Sequence, residues 1–449
     1  MRLVTILWIL SRRILPILAF SAIAPLSAQT APSAAQAQPF SPAAEVNTAL
    51  PSWVRFSGEY RARFEGFTGG SGFKPDTTDA YWLSRVRLDL TIQPVSWLRF
   101  FIEGQDARAI AKQPGVPPFE NVWDLRQAYG ELGDIEKQTF GLRVGRQEIN
   151  FGDQRLVGST NWSNAARTFD AVRGTVRHGG YRLDLFAASV VNAVNDTWDH
   201  HQQGNNLHGA HGEITKLVPR ATIEPYVYWR LQPRVRNEAG VVANMNEWVP
   251  GVRWVGTLRG GFDYQLEMVR EAGSLGSDNI HAWAGHWVIG RTAASVRMTP
   301  RIWVEYNYAT GDRNAKDGVR GTFDQLYPTA HDKYGLADQV GWKNTKHMRV
   351  GVEIKPAKSW SAMVEYTNYY LASPFDALYT TSSTAIARSA TGTAGTHVGQ
   401  ELDVVGAWNV SKALTAGAGF GHLFPGEFLR KTTPANPYNF PYVMFTYKF

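Results

Sequence analysis

Residues 53–67, WVRFSGEYRARFEGF, alternate between two chemistries. Val54, Phe56, Tyr60, Ala62 and Phe64 are apolar or small, whereas Arg55, Ser57, Glu59, Arg61, Arg63 and Glu65 are polar or charged. Two is the side-chain period of a β-strand, so one face is greasy and the other charged. The pattern returns in 85–92, where Arg85, Arg87 and Asp89 alternate with Val86, Leu88 and Leu90. It returns again in 98–105, where Arg99, Glu103 and Gln105 oppose Leu98, Phe100 and Ile102. A soluble sandwich has no place for an inner face of this charge. An apolar exterior around a wet, charged interior is the pattern of a transmembrane β-barrel.

The same rule predicts strands near 52–67, 79–93, 96–108, 122–132, 138–146, 168–177, 181–192, 208–215, 220–231, 248–257, 259–271, 284–298, 301–311, 343–355, 358–371, 398–409, 412–422 and 440–449. That makes eighteen, an even number as such barrels require. Short joints such as 178–180, 299–300, 356–357 and 410–411 alternate with longer ones at 109–121, 147–167, 193–207, 232–247, 272–283, 312–342, 372–397 and 423–439. The expected fold is therefore an all-β antiparallel barrel over 51–449, with short periplasmic turns and long extracellular loops. Trp53, Trp82, Trp97, Trp248, Trp303 and Trp360 fall near strand ends, where amphipathic rings form headgroup-level girdles.

Composition agrees. Mean hydropathy is -0.28, too polar for a helical membrane protein, and no apolar run of about 18 residues follows the N-terminus. At that N-terminus, Arg2, Arg12 and Arg13 precede the apolar segment 14–26, which reads as a signal peptide over 1–28. Ala28 and Ala37 close the two candidate cleavage motifs, so cleavage could fall as late as residue 37. Residues 29–50, rich in Ala, Pro and Gln, are expected to be a flexible leader. With no cysteine, disulfides and thiolate metal sites are excluded. The formal charge of +7 becomes +4 without the three leader arginines, and Arg outnumbers Lys 33 to 13. Guanidinium grips carboxylates in a planar fork and suits an anionic solute. These arginines alternate within strands instead of forming a patch or tail, which argues against a nucleic-acid partner.

The chain ends PYVMFTYKF, with Val443, Phe445, Tyr447 and Phe449 in one phase. This ending resembles the signal read by the outer-membrane assembly machinery, an expected partner along with membrane lipid. Four blocks resemble the bacterial alginate-export porins: LRQAYGEL at 125–132, LRVGRQEINFGDQRLVG at 142–158, NWSNAARTFDAVR at 161–173, and ATGDRNAKDGVRGTFDQLYPTAHDKYGLADQVGWKN at 309–344. The resemblance implies an 18-stranded outer-membrane barrel with an electropositive constriction that passes an acidic polysaccharide such as alginate. Within the blocks stand Arg126, Arg143, Arg146, Glu148, Asp153, Arg155, Arg167, Asp170 and Arg173. Arg61, Arg63, Arg85, Arg87 and Arg349 join them by phase, and Asp89, Glu103, Asp153 and Asp170 would temper the positive field so that solutes can leave as well as enter. The competing role for each arginine is to brace the barrel wall.

The expectation is a monomeric pore, passing an anionic polysaccharide or oligosaccharide by facilitated diffusion, with no cofactor. An uptake pore for other small anions or sugars is the alternative, and a barrel-embedded hydrolase a third. No GxSxG, HExxH or P-loop signature is present. Asp312, Asn314 and Asp317 brush against a calcium-loop spelling, but the last acid falls one position late and no closing Glu follows. His200, His201, His208 and His211 read as loop and strand residues, where helical metal-ligand spacing has no force.

Overall fold

The computed structural model describes residues 41–70, 72–75, 77–112 and 118–449. The expected signal peptide (1–28) and the leader as far as residue 40 lie outside the described residues. At the end of the expected leader, Pro42–Ala49 form helix α1. Ser41 caps the helix with its hydroxyl, Pro42 takes the first turn where no N–H is needed, and Asn47 fastens it to the barrel. The Asn47 amide bonds both the N–H and the C=O of Phe56 at 2.8 Å, replacing the strand neighbour that backbone would otherwise lack.

Eighteen strands form the barrel wall: β1 (Val54–Phe67), β2 (Asp79–Val95), β3 (Leu98–Ile110), β4 (Asn121–Leu132), β5 (Phe140–Gln147), β6 (Phe169–His178), β7 (Tyr181–Asn192), β8 (His200–Ile214), β9 (Ala221–Arg236), β10 (Val242–Thr257), β11 (Phe262–Leu275), β12 (Asp278–Thr292), β13 (Arg301–Ala309), β15 (Thr345–Ala357), β16 (Trp360–Tyr370), β19 (His397–Asn409), β20 (Leu414–Pro425) and β21 (Tyr438–Lys448). The short β14 (Val319–Arg320), β17 (Leu378–Tyr379) and β18 (Ala385–Ala387), with helix α2 (Glu427–Thr432), belong to the loops. Each wall strand pairs antiparallel with the next, and β1 closes on β21 in a register running from Glu59 opposite Lys448 to Glu65 opposite Tyr442. Phe449 completes the seam by exchanging backbone bonds with Gly58 at 2.9 and 3.0 Å. Among the described residues every wall strand has a partner on both sides, as a bilayer, which tolerates no open sheet edge, requires.

The expected strand count and closing strand match the structure, but several boundaries differ. β8 begins at 200 instead of 208, β10 at 242 instead of 248, and β12 covers 278–292 instead of 284–298. The expected long loops 232–247 and 272–283 shrink to 237–241 and 276–277 as a result. Above the lipid nothing demands an apolar outer face, so the alternation fades while the backbone ladder continues. At the other end of β12, Met298, expected in the strand, takes a positive φ of 69° and joins Thr299 (42°) in turning the chain.

Trp53, Trp82, Trp97, Trp248 and Trp360 face outward, each about half exposed. Trp303, expected among them, is only 5 % exposed and stands on the inward phase of β13, 5.3 Å below the Arg349 guanidinium. Being near a strand end did not outweigh phase. The buried apolar residues lie inside the barrel, where two long loops fold. Ile149, Phe151, Leu156 and Val157 of 148–168 pack with Phe323, Tyr327, Tyr334 and Trp342 of 310–344. Leu336, Ala337 and Val340 meet Leu371, Leu378, Phe428 and Leu429 in a second cluster.

Candidate functional site: the barrel lumen

The two inner loops are laced together across the lumen. Gly158 donates to the Tyr327 carbonyl at 2.9 Å, Tyr327 to Leu156 at 2.9 Å, and Thr329 to Gln154 at 2.9 Å. Lys333 holds Asp153 at 2.9 Å, and the Thr160 N–H reaches the Thr329 hydroxyl at 2.8 Å. The Trp162 indole lies flat on the His331 imidazole, centroids 3.7 Å apart and planes 7° from parallel, with the Arg63 guanidinium 3.9 Å from the indole centroid.

Different wall strands hold this assembly with opposite chemistry. On β1 and β2, arginines take loop carbonyls: Arg61 binds Asn161 (2.7 Å) and Trp162 (3.1 Å), Arg63 binds Trp162 (2.6 Å), and Arg85 binds Asn161 (3.0 Å). On β11 and β19, carboxylates take loop amides: Glu271 accepts from Asp324 (3.0 Å), Glu401 from Ala337 (2.8 Å) and Asp403 from Leu336 (3.1 Å). The arginine bonds are charge-assisted, a kind worth about 1.5–3 kcal/mol each. The wall thus answers the backbone groups that an inserted loop would otherwise leave orphaned.

Most of the remaining expected lining residues are inward and engaged in ion pairs. Arg126 joins Glu103 and Glu148. Arg143 pairs with Glu131 at 2.6 Å and lies 4.3 Å over Tyr129. Arg173 pairs with Asp184 at 2.9 Å. Arg349 bridges Glu305 (3.1 Å) and Glu365 (2.6 Å) while binding the Lys333 and Asp332 carbonyls. Arg155 contacts Asp153 at 3.1 Å and Glu305 at 3.6 Å. Arg87 binds Gln105 (2.8 Å) and the Asn161 side chain (2.9 Å). Asp89 is paired opposite Glu103 on the neighbouring strand, 3.4 Å from Ser57. Arg167 binds the Gly158 and Pro328 carbonyls, both at 3.1 Å.

Arg146 and Asp170 do not enter the lumen. Residue 146 lies within β5, three positions after inward Arg143 and hence on the other face. Asp170 precedes Arg173 by three on β6 for the same reason. The two side chains meet outside the wall at 2.8 Å, and His201 joins them at 3.2 Å.

Two cavities open inside the barrel. One, of about 460 Å³, is bounded by Arg61, Arg85, Lys333 and Lys448 against Glu59 and Asp332, with Asn161, Trp162 and His331 beside them. Permanent cations outnumber carboxylates there by four to two. The other, of about 540 Å³, carries Arg143, Arg173 and Arg182 against Glu136, Glu148, Asp184, Glu213 and Glu224. Carboxylates outnumber arginines there, so the inner surface is divided by charge. Phase alone did not select Lys333, Lys448 or Glu59, although Glu59 and Lys448 lie directly opposite each other in the closing register.

Two loop carboxylates are held ionised. Burial alone would raise Glu148, but Arg126 more than offsets it and brings its pKa down to about 2. Asp153 is likewise opposed by burial and lowered to about 2 by Arg155 and Lys333. Burial lowers Arg167 to about 10. Among the described residues, no cluster of three or more His, Cys, Asp or Glu is placed to share a metal ion. The calcium-like spelling is a turn in which Asp312 accepts from Asn314 at 2.8 Å and Asp317 from Val319 at 2.9 Å. His200 and His201 open β8, while His211 faces inward, 2.9 Å from the Tyr228 hydroxyl.

A closed barrel of eighteen antiparallel strands, apolar outside and filled by inward loops, defines an outer-membrane porin of a Gram-negative bacterium. The chain belongs to the alginate export family, whose sequence profile matches residues 52–442. Among solved structures it resembles Pseudomonas aeruginosa OpdO, with 13 % identity and a TM-score of 0.60 over 90 % of this chain and 99 % of that one. It also resembles Pseudomonas aeruginosa OpdQ (11 % identity, TM-score 0.61, 88 % and 97 % covered) and OpdK, solved with vanillate (10 % identity, TM-score 0.61, 88 % and 98 % covered). At such identities the likeness is one of fold. No curated protein sequence matches the chain.

Proposed function

We propose that this porin conducts acidic saccharides by facilitated diffusion, with the cation-rich cavity beside β1, β2 and β21 as the station where their carboxylates are held. The observation that carries this reading is the excess of Arg61, Arg85, Lys333 and Lys448 over Glu59 and Asp332 around 460 Å³. A low-dielectric wall strengthens such a field, which lowers the cost of drawing a carboxylate from bulk water. Most inward arginines, Arg61 and Arg85 included, also serve as braces, since their donors meet carboxylates or loop carbonyls; the charge of Arg61 and Arg85 still adds to the field at this cavity. Membership of the alginate export family supports a uronate-like substrate.

A second reading, passage of short acidic saccharides or other small carboxylates instead of a long polymer, is favoured by one observation. The lacing of Gly158 to Tyr327 and of Gln154 to Thr329 spans the lumen, and neither cavity exceeds about 540 Å³. The likeness of fold to OpdK, solved with vanillate, fits this reading. Direction is set by the gradient in either case. The test is the reversal potential of the purified protein in a planar bilayer under a KCl gradient. Anion selectivity, reduced when Lys333 and Arg85 are neutralised, is expected, and a cation-selective current would refute the proposal.

A further inference from the structure

The outward face of the barrel also carries charge, and its sectors differ. Near β3–β8, outward cations are neutralised by carboxylates on the same face: Arg108 pairs with Asp106 at 2.7 Å and Arg146 with Asp170 at 2.8 Å. From β11 to β19 the arrangement changes. Arg270 lies opposite Trp283 in the β11–β12 register, and its guanidinium reaches the imidazole of His281 at 2.9 Å. Trp283 meets Tyr308 of β13, ring centroids 4.5 Å apart. Tyr308 lies opposite Lys346, and Lys346 opposite Tyr370. Tyr370 meets His397 of β19 at 4.9 Å.

These side chains form one row across neighbouring strands, basic groups interleaved with aromatic rings, at the rim that carries the long loops. Every carboxylate of β11, β12, β13, β15 and β16 near this level, including Glu267, Glu271, Glu305 and Glu365, is buried on the inward phase. Among the described residues neither Arg270 nor Lys346 has a carboxylate in ion-pair range, and Glu427 is bonded to Lys431 at 2.6 Å. Exposed Trp283 (40 %) and Tyr370 (36 %) fix the row at headgroup level, because amphipathic rings settle at the boundary between acyl chains and headgroups.

We infer that this row is a docking surface for the phosphate groups of outer-leaflet lipid. Two unpaired cations facing a bilayer at headgroup depth need an anion there, and a phosphorylated glycolipid supplies one while its acyl chains cover the aromatic rings and the apolar wall below them. The paired sector around Arg146 offers no such demand. The surface is separate from the lumen and acts by seating the barrel in its membrane.

The test uses the full chain, folded in detergent and examined by native mass spectrometry with a diphosphorylated glycolipid or the same lipid dephosphorylated. The wild type is expected to retain the phosphorylated form preferentially. Arg270→Gln with Lys346→Gln should weaken retention by about fivefold per cation removed, whereas Arg146→Gln should not change it. Heat-modifiable migration on a gel confirms that each variant is folded, and the single Lys346→Gln variant gives an independent reading. Equal retention of both lipids, an unaffected double variant, full displacement by millimolar inorganic phosphate, or burial of the row in a dimer of this chain would each overturn the inference.

Discussion

The rings of Trp162 and His331 lie parallel at 3.7 Å, joining two loops whose positions in the chain are far apart. Arg63 covers the other face of the indole and so ties the stack to β1. Aromatic stacking and a cation–π contact contribute about 0.5–2 kcal/mol each. Trp162→Ala should therefore leave the barrel folded but loosen the loops. Single-channel recording is expected to show a larger, noisier open current, and a trace indistinguishable from wild type would remove the clamp from the account.

Acid should loosen the same assembly from another point. Asp153 is held to about 2 in the folded protein by Arg155 and Lys333, below the ordinary Asp value of about 3.9. A depressed carboxylate contributes its full stabilisation above the unfolded value and loses it as pH falls through the folded one. Current noise should rise between about pH 4 and pH 2, and Lys333→Gln should show part of that noise already at neutral pH. A flat profile down to pH 2 in the wild type would contradict this.

Arg85 and Arg146 make a paired comparison. Arg85→Glu reverses a charge at the cation-rich cavity and should shift the reversal potential toward cations. Arg146→Glu reverses a charge on the outside of the wall and should leave selectivity unchanged while costing about 1–3 kcal/mol of rim stability through the like-charge contact with Asp170. Equal shifts for both would mean that Arg146 faces the lumen after all.

Closure makes a further prediction. A Cβ on Gly58 would lie 2.6 Å from both the Arg87 carbonyl oxygen and the Phe449 ring. Gly58→Val should therefore obstruct the β1–β21 seam, seen as loss of the heat-modifiable folded band. Gly174→Ala, where a Cβ meets nothing within 4 Å, should fold normally.

The alternation made the wall legible because lipid imposes it: each spanning strand must present an apolar face, so eighteen strands and the closing Phe449 could be read directly. Where lipid stops, the constraint stops, and the start of β8 among His200, His201, Gln202 and Gln203 carried no apolar signal. Arg146 was misplaced because it entered with the family blocks and not by phase: three positions after inward Arg143, it falls on the outward face of β5. The inner loops were legible as long, but not as folded inward. Their cores depend on contacts such as Val157 with Tyr327, separated by eight wall strands in sequence. Charge was legible by residue and not by destination. Whether an arginine meets a solute, a carboxylate or a loop carbonyl depends on where those loops lie.

The most direct test of the central claim is block of single-channel current by a short uronate oligomer added to one side of the bilayer. Concentration-dependent block is expected in the wild type, reduced about tenfold or more in affinity when Lys333 and Lys448 become Gln, if each lost charge contact is worth about 1 kcal/mol. A current indifferent to the uronate, or block that persists unchanged in the double variant, would contradict it.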